Sequence, residues 1–456
     1  LRDQPMASVR SLYLPVENLA RELDGKLLLA LVARERGWRP VIGHKAAIRG
    51  RRSILPPGVY LAHNARTGKA VFFERFGRFG HQSVVLDEEA LVRQTDDLFL
   101  MKHERNAFDK VSLLLTWGED DAELWRKSGR IERERIVATG NPRMDVLRRD
   151  LRAFHRPEID AIGKRFGDYV LLNTNFPTVN HYVAWSSTLK LASWATDKQI
   201  IKQKSEFLSH KRALFERFQS LVPKIAQAIA PLRLVVRPHP SERDEPWLDA
   251  VSDSPNASVV FEGSVVPWIA GAGALVHNGC TSAVESAVIG TPILSYRPVQ
   301  SGIFDNRLPN GLGIECFDDD ALIGALQGIL AGGPCPLTPG QSKMLERHIA
   351  ATSGKLSCER IIDALDQLPV AGESVADPGY FEWCRRYLKI QWRTKSRRFG
   401  DTLSADGRIR LAYAGRKFPE ITPQYLDDRI GRFQQSLDRF HGLQAKRMAA
   451  NLFAIR

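Results

Sequence analysis

The hydrophobic positions along the first 150 residues fall into short runs that are separated by longer amphipathic segments. The runs are rich in residues that favour β-strands, and they are SLYLPV (11–16), RPVIGHK (39–45), SVVL (83–86), SLLLTWG (112–118) and RIVATGNP (135–142). The segment KLLLALVARERG (26–37) has a helical pattern and ends at a glycine. This alternation of strands and helices is typical of a parallel sheet that is flanked by helices.

A second series of the same kind begins near residue 168. Helical patterns cover residues 205–230 and CTSAVESAVIG (280–290), and the strand candidates are DYVLLNTNF (168–176), LRLVVRPHP (232–240), ASVVFEG (257–263), GALVHNG (273–279) and PILSYRP (292–298). We therefore predict an α/β fold with two Rossmann-like domains, residues 1–150 and 151–368, that face a cleft. A mainly helical, basic extension is predicted over residues 369–456.

The charge balance narrows the range of partners. The chain has 456 residues, with 65 Lys and Arg against 52 Asp and Glu, which gives a formal net charge of +13. This charge favours an anionic partner such as a nucleotide, an acidic lipid surface, an acidic polymer or a nucleic acid. The five cysteines form no CxxC pair, so neither a disulfide framework nor a zinc site is expected. With no apolar run long enough to span a membrane and no signal-peptide pattern, we expect a cytoplasmic location.

Two polar segments of the second series follow buried strands. In parallel α/β sheets, ligands bind at the carboxyl ends of the strands, so RPHP (237–240) and HNGCTS (277–282) are expected at one site. Arg237 can hold a phosphate through several N–H donors. His239, held between two prolines, can donate a proton near neutral pH. The alternative is a strand-terminating turn with an exposed histidine.

The segment after HNG opens a helix. Thr281 and Ser282 fall in its first turn, where free backbone N–H groups favour a phosphate, and Glu285 could accept hydrogen bonds from ribose hydroxyls. The alternative is ordinary helix capping. The predicted nucleotide- and phosphate-binding residues are Arg237, Pro240, Ser241, Asn278, Gly279, Thr281, Ser282 and Glu285.

The first strand of each series also ends in polar residues. In LLNTNF, Asn173, Thr174 and Asn175 are predicted to line a sugar or acceptor, with turn formation as the alternative. In PVENLARELDGKLLLA, Glu22 and Asp24 are expected between the first strand and its helix. A carboxylate there could deprotonate an acceptor hydroxyl or attack a sugar carbon, and the alternative is that Asp24 caps the helix.

Several of these segments together resemble a known family. YLPVENLARELDGKLLLALVARERG, TGNPRMD, LLNTNF, RPHPSE and HNGCTSAVESAVIGTP are similar to bacterial surface-carbohydrate biosynthesis proteins of capsule and lipopolysaccharide assembly. The chain resembles more loosely the GT-B CMP-sugar glycosyltransferases, namely bacterial sialyltransferases and β-Kdo transferases. The resemblance covers about residues 11–365.

The resemblance carries roles for particular residues. It implies that His239 and Pro240 contact the CMP phosphate and the leaving group, and that Thr281 and Ser282 hold the phosphate. It also implies that an acidic pair supplies the base. Here Leu23 separates Glu22 from Asp24, so the resemblance leaves open which carboxylate acts.

The resemblance predicts a metal-independent glycosyltransferase without a cofactor. The enzyme would move Kdo or another nonulosonic acid from a CMP-activated donor to a surface-polysaccharide or glycolipid acceptor. The alternatives are a GT-B enzyme like UDP-GlcNAc 2-epimerase or CDP-glycerol glycerophosphotransferase, or a non-catalytic subunit of a polysaccharide assembly complex. No nucleic-acid-binding module is visible, so nucleic acid is not an expected partner.

The segment 384–400 has a composition that is unlike the rest of the chain. Its seven basic residues, and the apolar ones between them, are Arg385, Arg386, Lys389, Arg393, Lys395, Arg397 and Arg398, and Tyr387, Leu388, Ile390, Trp392 and Phe399. We predict that this segment docks peripherally on the inner face of the cytoplasmic membrane. The alternative is a solvated helix that packs through its aromatic side chains.

Overall fold

The computed structural model describes residues 10–93, 95–182, 198–333, 335–371 and 379–456. The chain divides into two compact units. The first unit comprises Leu1–Ala90, Asp96–Phe154 and Glu346–Arg456, and the second comprises Leu91–Thr95 and His155–Leu345. Each unit is built around one sheet with helices on its faces, which is the predicted α/β architecture.

The strands and helices follow one another along the chain. The strands are β1 Ser11–Val16, β2 Arg39–His44, β3 Gly58–Ala62, β4 Gln82–Leu86, β5 Val111–Thr116, β6 Ile136–Ala138, β7 Tyr169–Asn173, β8 Arg233–Arg237, β9 Ala257–Val259, β10 Ala274–His277, β11 Ile293–Tyr296, β12 Ile314–Cys316, β13 Ala445–Ala449 and β14 Leu452–Ile455. The helices are α1 Leu19–Glu35, α2 Lys45–Arg51, α3 Lys69–Gly77, α4 Asp96–Met101, α5 Arg105–Phe108, α6 Glu119–Ser128, α7 Pro142–Asp145, α8 Arg156–Phe166, α9 Lys198–Ile229, α10 Glu245–Val251, α11 Val265–Gly271, α12 Ser282–Ile289, α13 Arg307–Gly311, α14 Asp319–Leu330, α15 Pro339–His348, α16 Ser357–Asp366, α17 Gly379–Leu403, α18 Ala405–Lys417 and α19 Pro423–Leu437.

The first unit contains a sheet with the strand order β13-β14-β2-β1-β3-β4-β5-β6. The strands β1 to β6 are parallel, and β1 is buried along its whole length because it lies between β2 and β3. The chain passes from β1 to β2 on one side and then to β3 on the other. The carboxyl ends of β1 and β3 therefore form the switch point of this sheet, where α/β proteins bind ligands.

The second unit contains a parallel sheet with the strand order β12-β11-β10-β7-β8-β9. One face packs Leu172, Val236 and Val276 against α9, and the other packs Leu171 and Val235 with side chains of α8 and α11. This is the doubly wound order of a Rossmann fold, with its switch point between β7 and β10.

The predicted helix of residues 26–37 begins earlier than the sequence pattern indicated. The helix α1 starts at Leu19, directly after β1, and ends before Gly37, whose φ of 85° favours glycine. Glu22 and Asp24 therefore lie inside the helix and not in a loop ahead of it. Asp24 does not cap the helix, because Asn18 holds the N-cap position.

The predicted division at residues 150 and 368 also differs from the observed one. Residues 346–456 belong to the first unit and not to the second unit or to a separate extension. The buried carboxylate of Asp145 caps α16 by accepting hydrogen bonds from the backbone N–H groups of Ser357 and Cys358, both at 2.8 Å. Farther along, β14 pairs antiparallel with β2 and extends the sheet.

The hairpin of β13 and β14 depends on a close approach at Gly43. Leu452 pairs with Gly43, and the backbone N–H of His44 donates to the carbonyl oxygen of Asn451 at 2.9 Å. A Cβ atom on Gly43 would overlap that carbonyl oxygen. The absence of a side chain at this position therefore allows the C-terminal hairpin to join the sheet.

We expect the substitution Gly43→Ala to loosen the hairpin from β2 and to destabilise the first unit by about 1–3 kcal/mol, as overpacking usually does. Urea unfolding together with hydrogen exchange at β14 measures the effect. Gly50→Ala is the matched control, since nothing lies within 4 Å of a Cβ there. Equal urea midpoints and unchanged exchange at β14 in the Gly43 variant would contradict the proposed close contact.

Candidate functional site

The switch point of the second unit brings together three of the predicted segments. Asn173 ends β7, RPHP follows β8, and His277 ends β10, directly before Asn278 and Gly279. The Oδ1 atom of Asn173 is buried and accepts no hydrogen bond from any residue that the structure describes. Asn175, which follows two residues later in the chain, is half-buried. The predicted convergence of strand-end residues within this unit is therefore observed.

A buried carboxylate that the sequence analysis missed connects the loops after β7 and β8. Glu242 is fully buried, and its Oε1 atom accepts hydrogen bonds from the Thr174 hydroxyl and from the backbone N–H of Phe176, both at 2.8 Å. Its Oε2 atom accepts one from the indole N–H of Trp247 at 3.0 Å. Burial raises the pKa of Glu242, while these hydrogen bonds act in the opposite direction. The final glutamate of the RPHPSE motif was the available signal.

The imidazole of His239 is oriented by its neighbours. Its Nδ1 atom accepts a hydrogen bond from the backbone N–H of Ser241 at 3.2 Å, so the neutral ring carries its proton on Nε2. The backbone N–H of His239 donates to the Thr174 hydroxyl oxygen at 3.2 Å. His239 and Pro240 are half-buried. The orientation of the His239 ring at the end of β8 is thus defined, and the Thr174 hydroxyl is hydrogen-bonded within the protein.

The guanidinium of Arg237 points to the other face of the sheet from Glu242. It donates to the carbonyl oxygen of Gly263 at 2.6 Å and lies 5.5 Å from the centroid of the Trp268 ring. Burial lowers the pKa of Arg237 to about 10, and its Nη1 atom has no hydrogen-bond partner among the described residues. The surroundings of Arg237 are therefore those of a packed side chain on the α11 face.

The N-terminus of α12 is prepared by the preceding turn. Gly279 has a φ of 58°, and its carbonyl oxygen accepts a hydrogen bond from Asn306 Nδ2 at 2.7 Å. Asn278 Nδ2 donates to the Tyr296 carbonyl oxygen at 2.9 Å. Thr281 occupies the N-cap position, yet its side chain makes no capping hydrogen bond. The simple capping explanation therefore does not account for Thr281.

Two further side chains at this helix start are engaged within the protein. The Ser282 hydroxyl lies 2.6 Å from the Cys280 sulfur. Glu285 lies in the first turn of α12 and is buried, so its carboxylate is not exposed to solvent. Of the two hydroxyl residues at the start of α12, Ser282 contacts Cys280, whereas the Thr281 hydroxyl does not cap the helix.

Lys211 is the second residue of this site that the sequence analysis missed. It lies on α9, is 7% exposed, and makes no hydrogen bond or ion pair with any described residue. Its Nζ atom is 6.0 Å from the ring centroids of both Phe176 and Phe207. Burial lowers its pKa, whereas the nearby carboxylates of Asp305 and Glu242 act in the opposite direction. The sequence around Lys211 did not indicate its burial, because charged residues are frequent along the whole amphipathic helix α9.

His277 is a buried, neutral histidine at the end of β10. The Ser295 hydroxyl donates to the Asn310 carbonyl oxygen at 2.9 Å, so it accepts from His277 Nε2, which is 2.9 Å away. The His277 Nδ1 atom is buried and has no partner among the described residues. Burial lowers the pKa of His277 to about 3.

A buried ionic cluster lies at the switch point of the first unit. His63, which follows β3, has its Nε2 atom 2.9 Å from the carboxylate of Glu22 and 3.0 Å from Nζ of Lys26. Lys26 also contacts Glu22 at 3.1 Å and Glu88, which follows β4, at 3.3 Å. Of these residues, only Glu22 was predicted from the sequence.

The two predicted acidic residues have different surroundings. Glu22 is fully buried, and although burial opposes ionisation, Lys26 and His63 hold its pKa well below the usual value. Asp24 forms an ion pair of 2.6 Å with Arg429 of α19. Neither carboxylate is available as a general base without rearrangement. Glu22 is paired with Lys26 and His63, and Asp24 is paired with Arg429 of α19.

Other chemistry is limited in the described part of the chain. No group of three or more His, Cys, Asp or Glu side chains is placed there to hold a metal ion. All five cysteines are free thiols. Among the described helices, none has the length and apolar character that crossing a membrane requires.

Comparison with known proteins gives matches only at the level of solved structures. No family model matches the chain, and no curated protein matches it. The putative UDP-N-acetylglucosamine 2-epimerase of Listeria monocytogenes superposes with a TM-score of 0.50 at 12% identity, covering 79% of this chain and 96% of that chain.

Two further similar structures have slightly lower scores. The wall teichoic acid polymerase TagF has a TM-score of 0.49 at 12% identity, covering 79% of this chain and 90% of that one. UDP-N-acetylglucosamine 2-epimerase from Rickettsia bellii has a TM-score of 0.47 at 11% identity, covering 78% and 96%. At such identities the likeness concerns the fold, which is that of the GT-B class with two Rossmann-like units, as the sequence predicted.

We expect His277 to make the second unit less stable as the pH falls. Its pKa in the folded protein lies below the unfolded value of 6.5, so the unfolded chain binds the extra proton first. Stability is present above pH 6.5 and is lost as the pH falls towards about 3, at up to about 1.4 kcal/mol per pH unit.

Urea midpoints of the wild type and His277→Gln at pH 7 and pH 4.5 test this prediction. Glutamine keeps a donor for Ser295 but does not titrate, so the variant should lose less stability on acidification. His441→Gln changes an exposed histidine and serves as the control. Parallel pH profiles of the wild type and the His277 variant would refute the expected effect.

Proposed function

We propose that the chain is a GT-B enzyme of bacterial surface-glycan synthesis that binds a nucleotide-activated donor at the switch point of its second unit. The observation that carries this proposal is Lys211. A largely buried ammonium that makes no direct ion pair or hydrogen bond with a described residue is costly, and a bound phosphate would supply a direct partner. Its aromatic neighbour Phe176 closely follows β7, and the Cys280 thiol, which is near enough to influence the Lys211 pKa, lies just before α12.

Three kinds of donor support a phosphate at this place. Lys211 provides a positive charge, His239 provides an Nε2–H group, and the first turn of α12 provides backbone N–H groups together with the Thr281 hydroxyl. Anions bind well where charge and preorganised N–H donors coincide. Asn173, with its unpartnered oxygen, is proposed to contact the sugar or the nucleoside.

We favour a nucleoside diphosphate-linked donor, such as a UDP-sugar or CDP-glycerol, over a CMP-linked one. Donors that come from α9, the loop after β8 and the start of α12 suit two phosphoryl groups better than one. The likeness to a UDP-N-acetylglucosamine 2-epimerase, at a TM-score of 0.50, is consistent with that choice. Transfer of Kdo or a related acid from CMP remains the second candidate because His239-Pro240 and Thr281-Ser282 match the motifs of those transferases.

In the proposed reaction, the bond between the donor group and the leaving nucleotide phosphate breaks. Negative charge develops on the leaving phosphate oxygen, where Lys211 and the helix N–H groups stabilise it and His239 donates from Nε2. The acceptor would be a glycan or glycolipid hydroxyl, whose oxygen forms the new bond to the donor group while its proton passes to solvent. Glu22 and His63 are both buried and contact each other, so neither is proposed to contact the substrate, and Asp24 would first have to leave Arg429. The proposal uses no metal or cofactor.

We expect Lys211→Met to weaken nucleotide binding at least about tenfold, which corresponds to roughly 1.4 kcal/mol. The fold should remain or gain stability, because methionine fills the same apolar space without a buried charge. Calorimetric titration with CMP, CDP and UDP measures the affinities and shows which nucleotide binds best. Lys224→Met is the control, since Lys224 lies exposed on the same helix. Unchanged affinity for all three nucleotides in the Lys211 variant would refute the proposed site.

We expect His239→Ala to reduce transfer or donor hydrolysis by about 10²–10⁴-fold, the usual range for a positioned proton donor. Nucleotide affinity should fall much less, because Lys211 and α12 remain in place. Release of the nucleotide from a panel of CMP-, CDP- and UDP-linked donors is the measurement, with the melting temperature as the check on folding. Full activity in a folded His239→Ala protein would be incompatible with this role.

A further inference from the structure

A row of large apolar side chains runs along the outer face of α17. Phe381, Leu388, Trp392, Phe399 and Leu403 are 88%, 67%, 70%, 67% and 67% exposed. Their spacing of seven, four, seven and four residues places all five within an arc of about 60° on a helix with 3.6 residues per turn. We name these five residues the apolar stripe. Monomeric proteins rarely leave such a continuous row of large apolar groups in water.

The opposite face of α17 is the one that packs on the first unit. The Trp383 indole N–H donates to the Ile54 carbonyl oxygen at 3.2 Å, and Arg386 donates to the Ser53 carbonyl oxygen at 3.0 Å. The ring of Tyr387 stacks on that of Trp383 with centroids 5.3 Å apart. These contacts fix the rotation of the helix, so the apolar stripe faces away from the protein.

Basic residues flank the apolar stripe. On the helix surface Arg385, Lys389 and Arg393 follow one edge of it and Lys395 follows the other, and all four are exposed. The nearest acidic residue, Glu382, is paired with Arg385 and Arg386. The side chains of Arg397 and Arg398 lie outside the described residues.

We propose that the apolar stripe enters the interfacial region of an anionic membrane while the flanking basic side chains contact the lipid headgroups. Helices with one apolar face and a basic border lie in the plane of the interface, and none of the described helices can span it. Long basic side chains can extend their charge to the headgroups while their stems stay apolar. Negative lipids therefore match the charge pattern around the stripe.

A second copy of the chain is a less suitable partner for the same surface. Self-association through the apolar stripe would bring the basic borders of two copies together, and like charges repel. An anionic lipid surface instead neutralises both borders and adds to the attraction expected from a net charge of +13. The inference is independent of the proposed nucleotide site, which lies in the second unit.

The apolar stripe revises which residues of segment 384–400 would contact lipid. Leu388, Trp392 and Phe399 face outwards, whereas Tyr387 packs on Trp383 and Ile390 is half-buried. Trp392 is the best reporter of insertion, because its indole would settle at the headgroup level.

Co-sedimentation of the full chain with vesicles tests the proposal. We expect binding to vesicles of phosphatidylcholine and phosphatidylglycerol, little binding to phosphatidylcholine alone, and weaker binding as salt rises. The stripe variant Leu388→Ser/Trp392→Ser/Phe399→Ser and the border variant Lys389→Gln/Arg393→Gln/Lys395→Gln should each bind at least about tenfold less.

A matched control changes three exposed apolar residues elsewhere, Met101→Ser/Leu248→Ser/Ile303→Ser, and should bind like the wild type. Circular dichroism and the melting temperature check that each variant is folded. Brominated lipid should quench part of the tryptophan fluorescence, and Trp392→Phe should lose that part while still binding.

Two outcomes would overturn the proposal. One is equal sedimentation of the wild type and the stripe variant with anionic vesicles. The other is a dimer in sedimentation velocity without lipid that the stripe variant abolishes, since that result would assign the apolar stripe to a second copy of the chain.

Discussion

The buried carboxylate of Glu242 is the contact on which the second unit's candidate site depends. A fully buried carboxylate needs hydrogen-bond donors, and here they come from Thr174, Phe176 and Trp247. These donors belong to the loop after β7 and to α10, while Glu242 itself belongs to the loop after β8. Satisfying one group thereby holds three segments together and leaves the His239 Nε2–H group with a defined position.

The two switch points differ in how their buried charges are balanced. In the first unit, the carboxylates of Glu22 and Glu88 are balanced by Lys26, which contacts both, and by Arg21, which pairs with Glu22 at 3.2 Å. In the second unit, Lys211 makes no direct ion pair with a described residue, and Asp305 and Glu242 act on it only from a distance. A balanced cluster keeps its charges without a ligand, whereas an unbalanced cation gains most from an incoming anion. This difference supports the proposal that the second unit binds the anionic part of a substrate.

The C-terminal region is part of the first unit and not an appendage. Asp145 caps α16, Asp24 pairs with Arg429, and β14 continues the sheet beside β2. These contacts join positions that lie hundreds of residues apart. They attach α16, α19 and β14 to the rest of the first unit, whereas the outer face of α17 remains exposed to water.

The sequence alone determined the α/β class, most of the parallel strands and the segments that meet at the strand ends. Those features depend on local patterns: apolar runs such as Ser11–Val16 form buried strands, and polar residues directly after them must lie at one edge of a parallel sheet. It identified His239 and Thr281 for the same reason. The strands β3 and β12 and the hairpin of β13 and β14 were not predicted, and the hairpin joins the sheet through β2, which lies far away in the chain.

Only the tertiary structure decided the roles of the charged residues. Burial separated Lys211 from the exposed lysines of the same helix, Arg429 gave Asp24 a partner, and His63 and Lys26 enclosed Glu22. The helix rotation that is fixed by Trp383 likewise decided which apolar residues of α17 face outwards. A charge or an apolar side chain acquires its function from what surrounds it in three dimensions, and the residues that surround these are far away in the chain.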